Sequence, residues 1–130
     1  MDSQTKRPVV YIVQEMKRWQ WDPDLQEDVL KPVHDMTPAA VYGDLKVLLD
    51  GAPIGIRLQG MIRTLREKLR GFTDDDYILP VGDPLAMGTA IALAAERNYG
   101  RVKVLRWDGR ARAYIEAQMD LAKSTAQEAV

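Results

Sequence analysis

The chain alternates short apolar runs, typical of buried strands, with two longer segments of helical periodicity. Strands are predicted at residues 8–15, 45–49, 77–81, 101–107 and 113–121, and helices at residues 58–70 and 84–97. A strand–helix–strand order favours parallel pairing beside a layer of helices, whereas Asp108-Gly109 is a strong hairpin signal. The sequence therefore predicts an α/β fold: a single-layer mixed five-stranded sheet with two main helices and a closing β-hairpin.

The segment 16–36 does not share this periodicity. It contains Trp19, Trp21 and the only histidine, His34. We expect an irregular insertion loop there, with room for one helical turn around residues 25–30. A short helix is predicted to follow, with Thr37 as its N-cap and Pro38 as its first residue. Residues 1–121 are predicted to form one α/β domain, and residues 122–130 a flexible tail.

Composition excludes several classes of site and protein. A chain of 130 residues can form one core without cross-links. It has no cysteine, which excludes disulfides, a thiol nucleophile and zinc–thiolate sites. No apolar run approaches the roughly 20 residues that span a bilayer, and the N-terminal segment lacks the apolar region of a secretory signal. We therefore expect a cytoplasmic protein with no membrane partner.

The corner between the third strand and the second helix, GDPLAMG, has two interpretations. A glycine turn before a helix can bind phosphate through free backbone N–H groups. Here Asp83 is predicted to cap those groups, and Pro84 has no N–H. Only Gly82 and Gly88 are present, so the dinucleotide-binding pattern is incomplete. The residues favour a structural corner. Gly88 is expected to allow close packing, within the chain by preference or against a second subunit in a homo-oligomer.

Catalytic and metal-binding combinations are scarce. Ser3 and Ser124 lie near the ends of the chain, far in sequence from His34, which disfavours a Ser-His-Asp arrangement. One histidine without cysteine cannot build a conventional zinc site. The run 74–76, three aspartates, could bind magnesium, but such runs are more often solvated turns. No catalytic residue, metal or cofactor is predicted, and an enzyme is not favoured.

Two features indicate binding. Arg63, Arg66 and Arg70 recur at helical spacing and should share one face of the first helix, where they could contact phosphates or simply be solvated. Trp19 and Trp21 could stack on bases, anchor a partner protein or cap an open end of the core.

The C-terminal half resembles a known group of proteins. The run DYILPVGDPLAMGTAIALAAERNYGRVKVLRWDGRARAYI is similar to small proteins of tailed bacteriophages that share a GDPxxxG helix corner and a GRxKxLxWD strand. The resemblance covers residues 42–115, and residues 16–36 look like a local addition. It implies a phage origin, with action in the bacterial cytoplasm or the virion, and it implies no activity, cofactor or catalytic residue.

Together these observations predict a small non-enzymatic phage protein that binds through its basic helix face and its tryptophan-bearing loop. The net charge of −1 places a host or phage protein slightly ahead of nucleic acid as the partner. Two alternatives stay open: an enzyme holding a nucleotide or phosphorylated ligand at Gly82–Asp83, and a virion structural component.

Overall fold

The computed structural model describes residues 6–52, 54–55 and 58–122 of the chain. In chain order these residues form β1 (Val9–Gln14), β2 (Lys17–Asp22), β3 (Glu27–Pro32), a 3-10 helix (Thr37–Val41), β4 (Asp44–Leu49), α1 (Leu58–Lys68), β5 (Tyr77–Leu79), α2 (Pro84–Arg97), β6 (Arg101–Asp108) and β7 (Ala113–Asp120).

Five of these strands form one mixed sheet in the order β4-β1-β5-β6-β7. The first four strands in this order are parallel, and β7 returns antiparallel to β6. β1 is an interior strand between β4 and β5, and its apolar residues are buried on both faces, as is typical of parallel sheets. The predicted α/β fold, with its mixed five-stranded sheet, two main helices and closing hairpin, is confirmed.

Different elements pack on the two faces of the five-stranded sheet. Successive residues of β1 alternate between them: Tyr11 and Val13 pack towards α1 and α2, and Val10 and Ile12 pack towards the 3-10 helix. The helix-covered face holds the larger core cluster. On the other face, which we call the open face, short elements leave exposed apolar side chains and cavities.

Most of the segment predicted as an irregular loop is a β-hairpin. β2 and β3 pair antiparallel from Lys17↔Pro32 to Asp22↔Glu27 and form a separate two-stranded sheet. The predicted helical turn at 25–30 is therefore wrong, as is the irregular character of the loop. Pro23 lies in the turn and Pro32 is the last residue of β3, so the missing N–H of each proline costs little and neither prevents strand pairing.

The β2–β3 and β6–β7 hairpins turn in the same way. In each, a four-residue turn follows an aspartate, Asp22 or Asp108, that is the last residue of the first strand. The aspartate Oδ1 accepts hydrogen bonds from the backbone N–H groups two and three residues later, at 2.9 and 3.2 Å in both turns. Each turn ends on a left-handed residue, Gln26 (φ 54°) or Arg112 (φ 51°). The hairpin predicted from Asp108-Gly109 is confirmed, although Gly109 is not its left-handed residue.

The 3-10 helix begins where a helix was predicted, but not with the predicted cap. Met36 occupies the N-cap position, and no side chain caps the helix. The carboxylate of Asp35 instead accepts a hydrogen bond from the backbone N–H of Thr37 at 3.0 Å. Thr37 as N-cap is therefore wrong.

No helix in the described part of the chain has the length and apolar character needed to cross a membrane. The tail predicted at 122–130 lies outside the described residues, apart from Ala122.

Candidate functional site

Open parallel sheets commonly bind ligands at the carboxyl ends of neighbouring strands whose connections leave in opposite directions. In this sheet that position lies between β1 and β5, because the chain passes from β1 to β4 on one side and later to β5 on the other. The side chain of Gln14, the last residue of β1, fills it and is buried. Its Nε2 donates to the carbonyl oxygens of Asp50 (3.1 Å) and Ala52 (3.0 Å), and its Oε1 accepts from the Asp83 N–H (2.8 Å). Gln14 therefore ties together three strand-end connections.

The backbone N–H groups of the GDP corner are already paired. Asp83 is the N-cap of α2, and its Oδ1 accepts from the N–H groups of Leu85 (2.8 Å) and Ala86 (3.4 Å). The N–H of Met87 donates to the Asp83 carbonyl at 2.9 Å, and Pro84 has none. Across residues 83–87, all described, each N–H has a partner, so a phosphate would meet a carboxylate instead of free donors.

Gly82 has a geometric reason to be glycine. Its φ is +109°, a region that other residues rarely adopt. A Cβ built on it would lie 2.5 Å from the Cβ of Gln14. The glycine therefore lets the corner approach the Gln14 side chain, which supports a structural role for this corner.

For Gly88, neither backbone conformation nor a close neighbour among the described residues requires glycine. It is exposed on α2, and a Cβ built there would meet no atom of the surrounding described residues within 4 Å. The prediction that Gly88 allows close packing within the chain is therefore wrong. The buried side of α2 carries other small side chains, those of Ala86, Ala90 and Ala94.

Two of the three aspartates at 74–76, Asp74 and Asp76, have their carboxylates hydrogen-bonded within the protein, and Asp75 is exposed. The carboxylate of Asp74 accepts from the Arg101 guanidinium at 3.1 and 3.2 Å and from Asn98 Nδ2 at 2.7 Å. The hydrogen bond from Arg101 and, to a smaller extent, the one from Asn98 lower the pKa of Asp74. Asp76 is buried and accepts from the N–H groups of Val9 and Thr73, both at 2.9 Å. Among the described residues no cluster of three or more potential ligands has a metal-binding arrangement.

Arg63 and Arg66 of the predicted basic face are exposed on α1, whereas Arg70 lies just after the last residue of the helix, and acids neutralise part of this basic surface. Arg66 forms an ion pair with Glu96 of α2, and Arg70 pairs with Glu67 at 3.2 Å. Arg63 lies on the same exposed side of the helix. Because two of the three guanidiniums already have carboxylate partners, the face is less cationic than its sequence indicates.

The two tryptophans lie together on one exposed face of the hairpin. Trp19 and Trp21 alternate along β2, so they share a face, and their side chains are 69% and 60% exposed. Their cross-strand partners are Leu30, which is 51% exposed, and Asp28. With Lys17 and Pro32 these residues make up the outer face of the hairpin. The alternative that the tryptophans cap an open end of the core is therefore wrong.

The chain is related to a known family of phage proteins. Residues 8–121 match the model of the phage Pam3 gp32-like protein family. The chain belongs to this family. The match supports the resemblance to small phage proteins and spans the hairpin as well as the predicted residues 42–115; the two short motifs themselves stay predictions. No curated protein and no solved structure matches the chain significantly.

In this member of the phage Pam3 gp32-like family, the open face carries a further feature that the sequence did not indicate. His34 and Asp35 follow the hairpin and border two cavities of about 470 and 490 Å³. The larger lies at the carboxyl ends of β5 and β6 and includes Trp107 and Tyr114. No sequence signal places residues 34–35 and 107 around one cavity, because that arrangement depends on how the loop crosses the sheet.

Proposed function

We propose that this phage-associated protein works by binding a host or phage protein through the outer face of the β2–β3 hairpin. The observation that carries the proposal is the exposure of Trp19, Trp21 and Leu30 together on one face of paired strands. Tryptophan is among the residues most often found at the energetic centre of protein interfaces. Contiguous exposed apolar surface on a small domain commonly marks an interaction site.

The charges around the tryptophans favour a protein over nucleic acid. Asp28 lies directly across from Trp21, and Asp24 in the turn and Glu27 at the start of β3 add negative charge at this end of the hairpin. Asp22 is paired with Lys31 at 3.3 Å. A phosphate backbone near Trp21 would meet this negative charge. Lys17 and Arg18 lie at the opposite end of β2. A partner with an apolar anchor site and basic groups near the turn would match this distribution.

The basic face of α1 is the weaker candidate surface. Arg66 and Arg70 would have to exchange Glu96 and Glu67 for a partner's anions. The outer face of the hairpin needs no such exchange, because its tryptophans are already exposed.

The other functions considered have less support. An enzyme centred on Gly82–Asp83 would need N–H donors that the corner already uses. A virion structural component would need a repeating self-interface, which the mass of the protein in solution can reveal. The family relationship is compatible with action in the host cytoplasm or the virion.

The test uses the tagged full chain expressed during phage infection. Trp19→Ala with Trp21→Ala is compared with Val41→Ala and Leu85→Ala, two exposed apolar residues away from the hairpin. Loss of two central anchors should reduce the recovered partner about ten-fold or more, measured by quantitative mass spectrometry, while the control variant keeps it.

Two results would contradict the proposal. The first is recovery of the same proteins by the double tryptophan variant and the wild type. The second is capture that nuclease treatment abolishes and that depends on Arg63, Arg66 and Arg70, which would favour nucleic acid on the basic helix face.

A further inference from the structure

We propose that the cavity at the carboxyl ends of β5 and β6, on the open face, binds a planar nitrogen heterocycle of the nucleobase type. The cavity has a volume of about 490 Å³. This lies within the roughly 300–1,000 Å³ of typical small-molecule sites. Its floor includes Leu79 and Leu105, both fully buried, so the base of the site is apolar and held by the core.

One wall of the cavity is aromatic. Trp107 and Tyr114 are cross-strand partners in β6 and β7, and their rings meet nearly edge to face, with centroids 5.1 Å apart and planes at 70°. Tyr114 is buried, and its carbonyl oxygen accepts a hydrogen bond from the Tyr42 hydroxyl at 2.7 Å. Trp107 is 50% exposed. A fixed, half-exposed indole is a surface on which a flat heterocycle can stack.

The opposite side of the cavity supplies polar groups. His34 and Asp35 border it, and both are exposed. The Asp35 carboxylate accepts one backbone N–H, that of Thr37, and a carboxylate has about four acceptor positions. Hydrogen bonds from Thr37 lower the pKa of Asp35, so it is ionised at neutral pH. It can therefore accept N–H groups from the edge of a base.

These groups favour the base over a phosphate. The Asp35 carboxylate attracts amino and ring N–H donors, and it repels an anion. Arg106 also borders the cavity, but it lies between Leu105 and Trp107 in β6, so strand alternation directs its side chain to the opposite face of the sheet. Stacking on Trp107 requires a planar ring. The base could belong to a free nucleoside or to an unpaired position of a single strand, and the chemistry of the cavity is the same for both.

The first measurement isolates the signal of Trp107. The chain has three tryptophans, so Trp19→Phe with Trp21→Phe leaves Trp107 as the only one. Adenosine, guanosine and cytidine should quench its fluorescence saturably. The same background removes the tryptophans of the outer hairpin face, so this test is independent of the proposed protein partner.

Calorimetry then compares variants in that background. Trp107→Leu should weaken nucleoside binding about five-fold or more, because stacking is lost. Asp35→Asn should weaken binding too. The variant should fold, because Asp35 is exposed and the asparagine oxygen can still accept the Thr37 N–H. Asp28→Asn, an exposed acid on the hairpin, should leave binding unchanged. A short single-stranded oligonucleotide binding much more tightly than nucleosides assigns the base to a strand; equal affinity assigns it to a free nucleoside. Absence of saturable quenching by all three nucleosides, or equal affinity in Asp35→Asn and its parent, would overturn the proposal.

Discussion

Gln14 is the polar residue on which the strand-end connections depend most, and its replacement gives a sharp test of the fold. Gln14→Leu keeps a side chain of similar size but removes all three hydrogen bonds, to the carbonyls of Asp50 and Ala52 and from the N–H of Asp83. A net hydrogen bond contributes about 1 kcal/mol, so the loss should be about 3 kcal/mol. The backbone groups left without partners are part-buried, which keeps the cost near this figure.

The assay is denaturant unfolding of the full chain followed by circular dichroism. Gln20→Leu is the matched control, because Gln20 is half-buried on the β2–β3 hairpin and lies outside the five-stranded sheet. We expect a lower midpoint for Gln14→Leu with an unchanged slope, and a change within about 0.5 kcal/mol for Gln20→Leu. Equal effects of the two substitutions would refute the view that Gln14 ties the connections together.

Three further predictions concern the helices and the β6 end of the sheet. Gly88→Ala should stabilise the protein by about 0.5–1 kcal/mol, since the added Cβ meets nothing and alanine favours a helix; a lower unfolding midpoint would show that this face is occupied. Asp83→Ala should destabilise by about 1 kcal/mol through loss of the N-cap, and an unchanged melting temperature would argue against capping. Because Arg101 and Asn98 lower the folded-state pKa of Asp74, its ionised form stabilises the fold above its ordinary pKa of 3.8 and loses that effect as pH falls through the lower folded value. Asp74→Asn should flatten the acid side of the stability–pH curve, and an identical curve would contradict the role of this contact.

Much of the main sheet could be predicted from sequence because β1 and β5 are largely buried and α1 is amphipathic. Apolar runs such as Val9–Gln14 have few alternatives to a central strand, and Leu65 and Leu69 mark one buried helix face. The Asp-Pro pair at 83–84 identified the start of α2 for a local reason, capping, that needs no tertiary context. These features are encoded within a few residues.

The hairpin could not be predicted in the same way. Its turn contains no glycine, and Gln26 adopts the left-handed conformation instead. Its exposed strand face carries tryptophans, where hydrophobic patterning expects polar residues. Gln14 and the cavity beside Trp107 were missed for another reason: their contacts join residues about 70 positions apart, and no local pattern reports them.

The most direct test of the central claim is site-specific photocrosslinking from the hairpin during infection. A photoreactive benzoylphenylalanine replaces Trp21 in one variant and Val41, which is 84% exposed on the 3-10 helix, in a second. We predict a discrete protein adduct from position 21 that is absent from position 41. Similar adducts from both positions, or an adduct to nucleic acid alone from position 21, would contradict it.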